Sequence, residues 1–327
     1  DKMDEKTRCH TPYPVILVRL VKEWKQQHGH LPQTRDEKED FKQYVNSKAA
    51  SLMDENFQEA ADKYFQACNL PEIPYEVQQI LEDDLGKNVT AESSDFWIMV
   101  SALKQFIDNE GEGKLPVQGR LPDMHSDTDR YVKLQAIYRK KARSDMAIVK
   151  KYVDQKLKEI GRKENSISEM DIKEFCKNAY YLRVFHFRSL EQEINEPNKE
   201  ELQMHLFNPD STAPWYILFR AADLYHEKYG SYPGASGEVE YDEETNKLLA
   251  IVNELIALYE ISEAEVEWNK YTAEMVRFGA AELHNISSLV GGVGGQELIK
   301  LCTKQRLVLN NTWVYSGING KSSAIQA

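Results

Sequence analysis

Gly291-Gly292-Val293-Gly294-Gly295 comes closest in this chain to a phosphate cradle. Glycine-rich turns at a helix start let backbone N–H groups close around a phosphate. The rest of that chemistry is missing, since no Lys-Ser/Thr pair follows and no clear strand precedes. Helix packing is therefore the better reading. His226-Glu227 lacks the second histidine of a zincin, and no other His, Asp or Glu grouping has ligand spacing. Cys9, Cys68, Cys176 and Cys302 lie far apart and form no C-x-x-C pair. No local sequence around them predicts a lowered pKa, so they read as structural thiols of a reduced, cytoplasmic or nuclear protein rather than as nucleophiles. The lysine-rich face of residues 139–158 reads as a solvated helix face. No catalytic residue, cofactor ligand or metal ligand is expected in this chain.

The element that must hold the glycines is a helix. Leu283, Ile286, Leu289, Val290, Val293, Leu298, Ile299 and Leu301 recur at helical spacing. Each glycine inside it costs about 1 kcal/mol relative to alanine. The usual compensation is close approach of another backbone, which is possible only without a Cβ. The sequence points to a surface outside this chain. Two short apolar runs follow, residues 307–309 and 313–315, with Asn310-Asn311 between them, and together they predict a hairpin.

The chain has 327 residues, 41% of them hydrophobic, enough for a real core in two domains or one elongated one. A formal net charge of -12 argues against a nucleic-acid or anionic-membrane surface. No apolar run reaches the roughly 18 residues of a membrane span, and the sequence shows no signal peptide. The sequons at Asn88, Asn285 and Asn310 are accordingly expected to be chance matches. The first residue is Asp1 rather than Met, which suggests a fragment or a processed product.

Along the chain, Thr11-Pro12 predicts a helix start, and Thr34 with Glu37 has capping-box spacing for a second helix. A third segment carries Phe57, Tyr64, Phe65 and Cys68 before Pro71 and Pro74 interrupt it. Ser93-Ser94 opens a helix with Phe96, Trp97, Val100, Leu103, Phe106 and Ile107 on one stripe. Apolar helices stop at Gly29, Gly113 and Gly230, each followed by an apolar residue and then Pro. Residues 110–123 are the longest loop signal. Asp127 is expected to cap a long helix that buries Tyr131, Leu134, Tyr138, Ile148, Val149, Val153, Leu157 and Ile160. Ser168 with Asp171 and Ser262 with Glu265 repeat the capping spacing, and Pro214 opens a further helix. Helices are also expected over residues 242–258 and 262–276. A helix-plus-hairpin texture begins only near Ala280.

Gly291-Gly292, Gln296-Glu297, Ile299-Lys300 and Thr303-Lys304-Gln305 resemble the closing segment of ubiquitin-type activating enzymes. Further motifs extend the match: His10-Thr-Pro, Glu37-Lys-Glu-Asp-Phe41, Ser94-Asp-Phe-Trp97, Ala102-Leu-Lys-x-Phe106, Leu121-Pro-Asp-Met124, Arg220-Ala-Ala-Asp223, Arg277-Phe-Gly-Ala-Ala-Glu282 and Tyr315-Ser-Gly317. Together they resemble the regulatory, non-catalytic subunits of heterodimeric neddylation-activating enzymes, which start the cascade that modifies cullins. The chain departs from that pattern at Gly294-Gly295, where alanine is usual, and at Arg306, where an aromatic is usual.

The resemblance implies a mainly α fold. A large helical insertion, residues 11–275, resembles a catalytic-cysteine half-domain. A short α/β segment of helix plus β-hairpin, residues 276–327, then closes a ThiF-like (MoeB/ThiF-type) adenylation fold whose first half is absent. Residues 1–10 would be the tail of the preceding adenylation segment. The resemblance also implies that a catalytic subunit carries ATP, Mg and the thioester cysteine, while this chain binds no cofactor and meets the ubiquitin-like modifier through the complex. Contacts to the catalytic subunit map onto His10, Asp123, Met124, Asp127, Tyr131, Lys133, Leu134 and Gln135. Two other readings stay open: a stand-alone helical protein-protein interaction adaptor that has lost the adenylation half, and part of an enzyme with its own thioester cysteine.

Overall fold

A computed structural model describes residues 5–50, 54–69, 71–235, 240–261 and 266–327. The expected capping pair Ser262 and Glu265 lies outside the described residues. The chain is mainly α with one two-stranded sheet, and it divides into two compact units, Asp1–Val184 and Phe185–Ala327. The change of texture expected at 275/276 falls inside the second unit.

The first unit holds two apolar cores. In one, Tyr13, Ile16, Leu17, Leu20 and Trp24 line one face of the helix Tyr13–His28. They meet Phe41 and Val45 of Arg35–Ser47 and Phe57, Ala60 and Ala61 of Glu55–Asp62. The start of Tyr13–His28 differs from expectation. Pro12 occupies the cap position, and the Thr11 hydroxyl turns back to donate to the Thr7 carbonyl at 2.9 Å. At Arg35–Ser47 the expected box forms: Thr34 Oγ1 accepts from the Glu37 N–H at 3.2 Å, and Glu37 Oε2 accepts from the Thr34 N–H at 3.1 Å. Residues 7–11 are fastened to this core through Asp54, which is buried. Its carboxylate takes Arg8 at 2.8 Å and the Ala50 N–H at 2.8 Å. Asn56 adds two bonds, to the Arg8 and Thr11 carbonyls.

The second core of this unit is built on Asp95–Asp108, which buries seven side chains from Ile98 to Ile107. Against it lie Tyr75–Glu82, Glu169–Lys177 and one half of the long helix Thr128–Glu159. Asp127 and Ser168 cap the last two as their spacing predicts, accepting from Arg130 and Asp171 at 2.7 and 3.1 Å. The long helix buries Val149, Val153 and Leu157, but Tyr131, Leu134, Tyr138, Ile148 and Ile160 are only half-buried. Its amphipathic stripe is longer than the surface available to cover it. Buried Asp145 holds the preceding loop by accepting from the Val117 N–H at 3.1 Å. The glycine stops behave alike: Gly29, Gly113 and Gly230 have φ of 82°, 77° and 79°, the left-handed region that a Cβ disfavours.

In the second unit, Ala213–Tyr229, Tyr241–Leu258 and Trp268–Phe278 pack around Ile217, Leu218, Leu248, Val252 and Val276. The helix expected over residues 262–276 is described from Trp268 to Phe278, with residues 262–265 outside the described residues. Helices Leu190–Asn195 and Lys199–Phe207 were not expected from the sequence. The hairpin also differs. Its strands are Thr312–Tyr315 and Ser322–Ile325, antiparallel, pairing Thr312 with Ile325 and Tyr315 with Ser322. Residues 305–311 form an irregular strap instead of a strand. Thr212 anchors the sheet: its hydroxyl donates to the Val314 carbonyl at 3.0 Å, and its N–H donates to Ser323 Oγ at 3.1 Å.

Candidate partner interface

The residues that the resemblance assigns to a partner lie in the first unit, at the base of Thr128–Glu159. His10 is half-buried, its Nδ1 has no hydrogen-bond partner, and its ring meets that of His125 edge-on at 5.9 Å. His125 is fixed in turn to Glu55 at 2.9 Å and, through its N–H, to Glu59 at 2.9 Å. Met124 packs on the first core, and exposed Asp123 accepts from the Met124 N–H at 3.0 Å. The fold thus brings His10 together with residues 123–127. Asp127 is occupied as the helix cap, and Tyr131 donates to the Leu121 carbonyl at 3.4 Å. Leu134 and Gln135 are half-buried and Lys133 is exposed, all on the same turns of helix. Val132 and Ile137 are exposed apolar neighbours on those turns, absent from the sequence-derived set.

In the second unit the glycine stretch is a helix as expected, His284–Thr303, and no residue of it is buried. Leu283, Leu298, Ile299 and Leu301 each expose more than half of their surface. A Cβ placed on Gly291, Gly292, Gly294 or Gly295 would meet nothing within 4 Å. Among the described residues, nothing approaches these glycines closely enough to need them. The helix touches the hairpin through Ile286, whose Cδ1 lies at the turn glycine Gly317. Glu297 ties it to the strap by accepting from the Leu309 N–H at 2.8 Å. The bond from Lys300 at 2.5 Å, supported by that N–H, holds the Glu297 carboxyl below the usual range. No side chain caps the N-terminus, where Leu283 occupies the cap position.

A cleft of about 420 Å³ opens beside the N-terminal half of this helix, between Leu190–Asn195, Ala213–Tyr229 and the strand Thr312–Tyr315. Its lining is mostly apolar, with Glu193, Tyr216, Arg220 and Thr312 among the lining residues. Glu193 is buried there and accepts from Asn311 at 3.0 Å and from Thr312 at 2.5 Å. Burial, with the Glu193 charge beside it, pushes the Tyr216 hydroxyl well above its ordinary pKa. Burial likewise pushes the thiols of Cys68 and Cys176 up to about 11 and about 12, so both are protonated and weakly nucleophilic at neutral pH. Cys9 sits against the Asp54 carboxylate at 3.2 Å, an acidic neighbour rather than an activating cation. No group of three His, Cys, Asp or Glu side chains among the described residues could hold a metal. No helix among them is long and apolar enough to cross a membrane.

No model of a known protein family matches the chain. Individual proteins do. The chain is similar to the NEDD8-activating enzyme E1 regulatory subunit AXL of Arabidopsis thaliana, 41% identical over 319 residues, covering 97% of this chain and 60% of that protein. It is also similar to the NEDD8-activating enzyme E1 regulatory subunit of Gallus gallus, 36% identical over 335 residues, covering 100% of this chain and 62% of that protein. The corresponding subunit AXR1 of Arabidopsis thaliana is 40% identical over 320 residues. The chain spans about 60% of the length of these relatives.

Proposed function

We propose that this chain, homologous over nearly all of its length to NEDD8-activating enzyme E1 regulatory subunits, is the non-catalytic part of a heterodimeric activating enzyme for a ubiquitin-like modifier. The observation that carries the reading is that homology, with identities of 36% to 41%. In this role the chain binds a catalytic subunit and supports adenylation and thioester formation of the neddylation modifier. ATP and Mg, held by the catalytic subunit, supply the activation of the modifier's carboxylate. This chain contributes binding surface and no nucleophile. It acts in the cytoplasm, the nucleus or both.

The uncovered face of His284–Thr303 supports the same reading. Four glycines at about 1 kcal/mol each are a sizeable cost against the roughly 5 to 15 kcal/mol that holds a domain together. An adenylation fold of the ThiF type, closed by residues 276–327, gives those glycines the backbone neighbour that they lack here. The base of Thr128–Glu159, with His10, Met124, Tyr131 and Lys133, forms a second contact to the catalytic subunit. Mixing tests the proposal. The longest natural form of this chain is combined with the catalytic subunit, co-elution is followed by size exclusion, and modifier-dependent ATP–pyrophosphate exchange is assayed. Both are expected only when the two proteins are together, and failure of both sinks the proposal. A non-reducing gel after incubation with modifier and ATP is expected to show the thioester on the catalytic subunit; an adduct on this chain would instead favour an enzyme with its own cysteine.

A further inference from the structure

The long helix Thr128–Glu159 carries two kinds of basic surface. Past the buried Asp145, lysines are neutralised within the helix, Lys150 by Asp154 at 2.5 Å and Lys156 by Glu159 at 2.7 Å. That is the usual state of a solvated face. Before it, residues 130–144 hold Arg130, Lys133, Arg139, Lys140, Lys141 and Arg143 and not one acidic residue. Arg130 is paired with Asp127, and Lys141 with Asp145 at 2.6 Å. Lys133, Arg139, Lys140 and Arg143 are exposed and form no ion pair among the described residues. Ala136, Arg139, Lys140 and Arg143 lie three and four positions apart and so share one exposed face, which Ile137 borders at 65% exposed. Arg143 stands four residues from Arg139 and three from Lys140, a like-charge spacing that weakens a helix standing alone.

Charge, length and composition narrow the occupant. The cations call for carboxylates or phosphates, yet the chain around them carries a formal net charge of -12. From residue 136 to residue 143 the face runs only about 10 Å along the helix axis. A long polyanion such as a nucleic acid or an anionic membrane would overrun it onto acidic surroundings that repel it. The face also presents no aromatic ring on which a base could stack. A short acidic segment meets the cations without that penalty, and Ile137 offers it an apolar contact. We propose that the exposed face of residues 136–143 docks a short acidic segment of a partner protein, its carboxylates pairing with Arg139, Lys140 and Arg143 and an apolar side chain covering Ile137. The face begins beyond Gln135, the last residue that the resemblance assigns to the catalytic subunit, and the proposal does not rest on the homology-based role.

The probe is a fluorescein-tagged peptide, Glu-Glu-Leu-Asp-Glu-Leu-Glu, titrated with the longest natural form of the chain and followed by anisotropy. The measurement is made at about 0.15 M salt, where charges act over about 8 Å. Saturable binding is expected, and the same peptide with Gln and Asn in place of Glu and Asp is expected not to bind. The double variant Arg139→Glu with Arg143→Glu is expected to weaken binding on the order of tenfold, and Lys140→Gln roughly two- to fivefold. All three sites are exposed, so the helical circular-dichroism signal is expected to stay unchanged, which separates lost recognition from lost folding. Lys158→Glu alters the net charge more than Lys140→Gln does, but about 22 Å farther along the same helix, and is expected to leave affinity unchanged. The proposal is overturned by the absence of saturable binding, by equal binding of the uncharged peptide, or by an equal loss in Lys158→Glu. Tighter binding of an oligothymidylate of the same charge also overturns it and makes the face a nucleic-acid site. So does a dimer in sedimentation that Arg139→Glu with Arg143→Glu dissociates, since the occupant is then a second copy of the chain. Co-elution with a catalytic subunit reads the homology-based role separately, so failure of one leaves the other standing.

Discussion

Helices Asp95–Asp108 and His284–Thr303 are both rich in apolar side chains, yet one buries seven residues and the other none. The first concentrates Val100, Leu103, Phe106 and Ile107 on the face that meets the long helix, and it contains no glycine. The second spreads its apolar groups around four glycines and leaves them open. The difference teaches that apolar content measures the need for a covering surface, not its location. In the first helix that surface is inside the chain. In the second, among the described residues, it is not.

The largest expected break in this comparison is a matched pair of truncations. Leu103→Ala, at a fully buried site, is expected to cost about 2–5 kcal/mol in urea unfolding. Leu298→Ala, at a site 62% exposed, is expected to stay within about 0.5 kcal/mol. Comparable losses would mean that the glycine helix is covered after all. Next in size is the double change Gly292→Ala with Gly294→Ala. With open space at both positions, the chain alone is expected to gain up to about 2 kcal/mol in helix stability. Co-elution with the catalytic subunit is expected to fall at the same time. Stabilisation without loss of binding would remove the glycines from any interface.

The helix starts offer a smaller contrast. Thr34→Ala removes a complete capping box and is expected to lower stability by about 1 kcal/mol. Leu283→Asn supplies a cap where none exists and is expected to raise the helical circular-dichroism signal slightly. Smallest is the acid response of the strap. Because the folded state holds the Glu297 carboxyl below its ordinary range, its contribution is present above about pH 4.3 and fades as pH drops through the lowered folded value. The protection factor of the Leu309 amide, taken relative to its intrinsic exchange rate, is expected to fall only in that acid window, and Glu297→Gln to blunt the change. An equal loss of protection near neutrality would show that the Leu309 bond does not hold the strap.

Much of the fold was readable because its signals are local. Thr34 with Glu37, Ser168 with Asp171, Asp127, and the glycine stops each bond within a few residues of themselves. Ser189 with Gln192 has the same spacing and forms a full capping box at Leu190–Asn195, so that helix carried a usable signal that was missed. The hairpin register was not readable. Residues 307–309 are the more apolar run, but Ser322–Ile325 pairs because Ser323 meets Thr212, 111 residues away. Nor could periodicity show that the long helix lacks covering neighbours over residues 128–144, before the buried Asp145. The similarity to regulatory subunits was legible because its motifs are scattered from His10 to Gly317, so no local misreading removes it. The burial of Glu193 was not, since its partners Asn311 and Thr312 lie more than a hundred residues away.

The open face of His284–Thr303 also bears on how long the chain lasts. Chaperones and proteases recognise uncovered leucine- and isoleucine-rich segments and continuously triage chains that display them. Among the described residues, Leu298, Ile299 and Leu301 keep more than half of their surface uncovered. A surface that covers that helix is therefore expected to lengthen the life of the chain. A pulse–chase with and without the catalytic subunit reads this directly, as a longer half-life when the helix is covered.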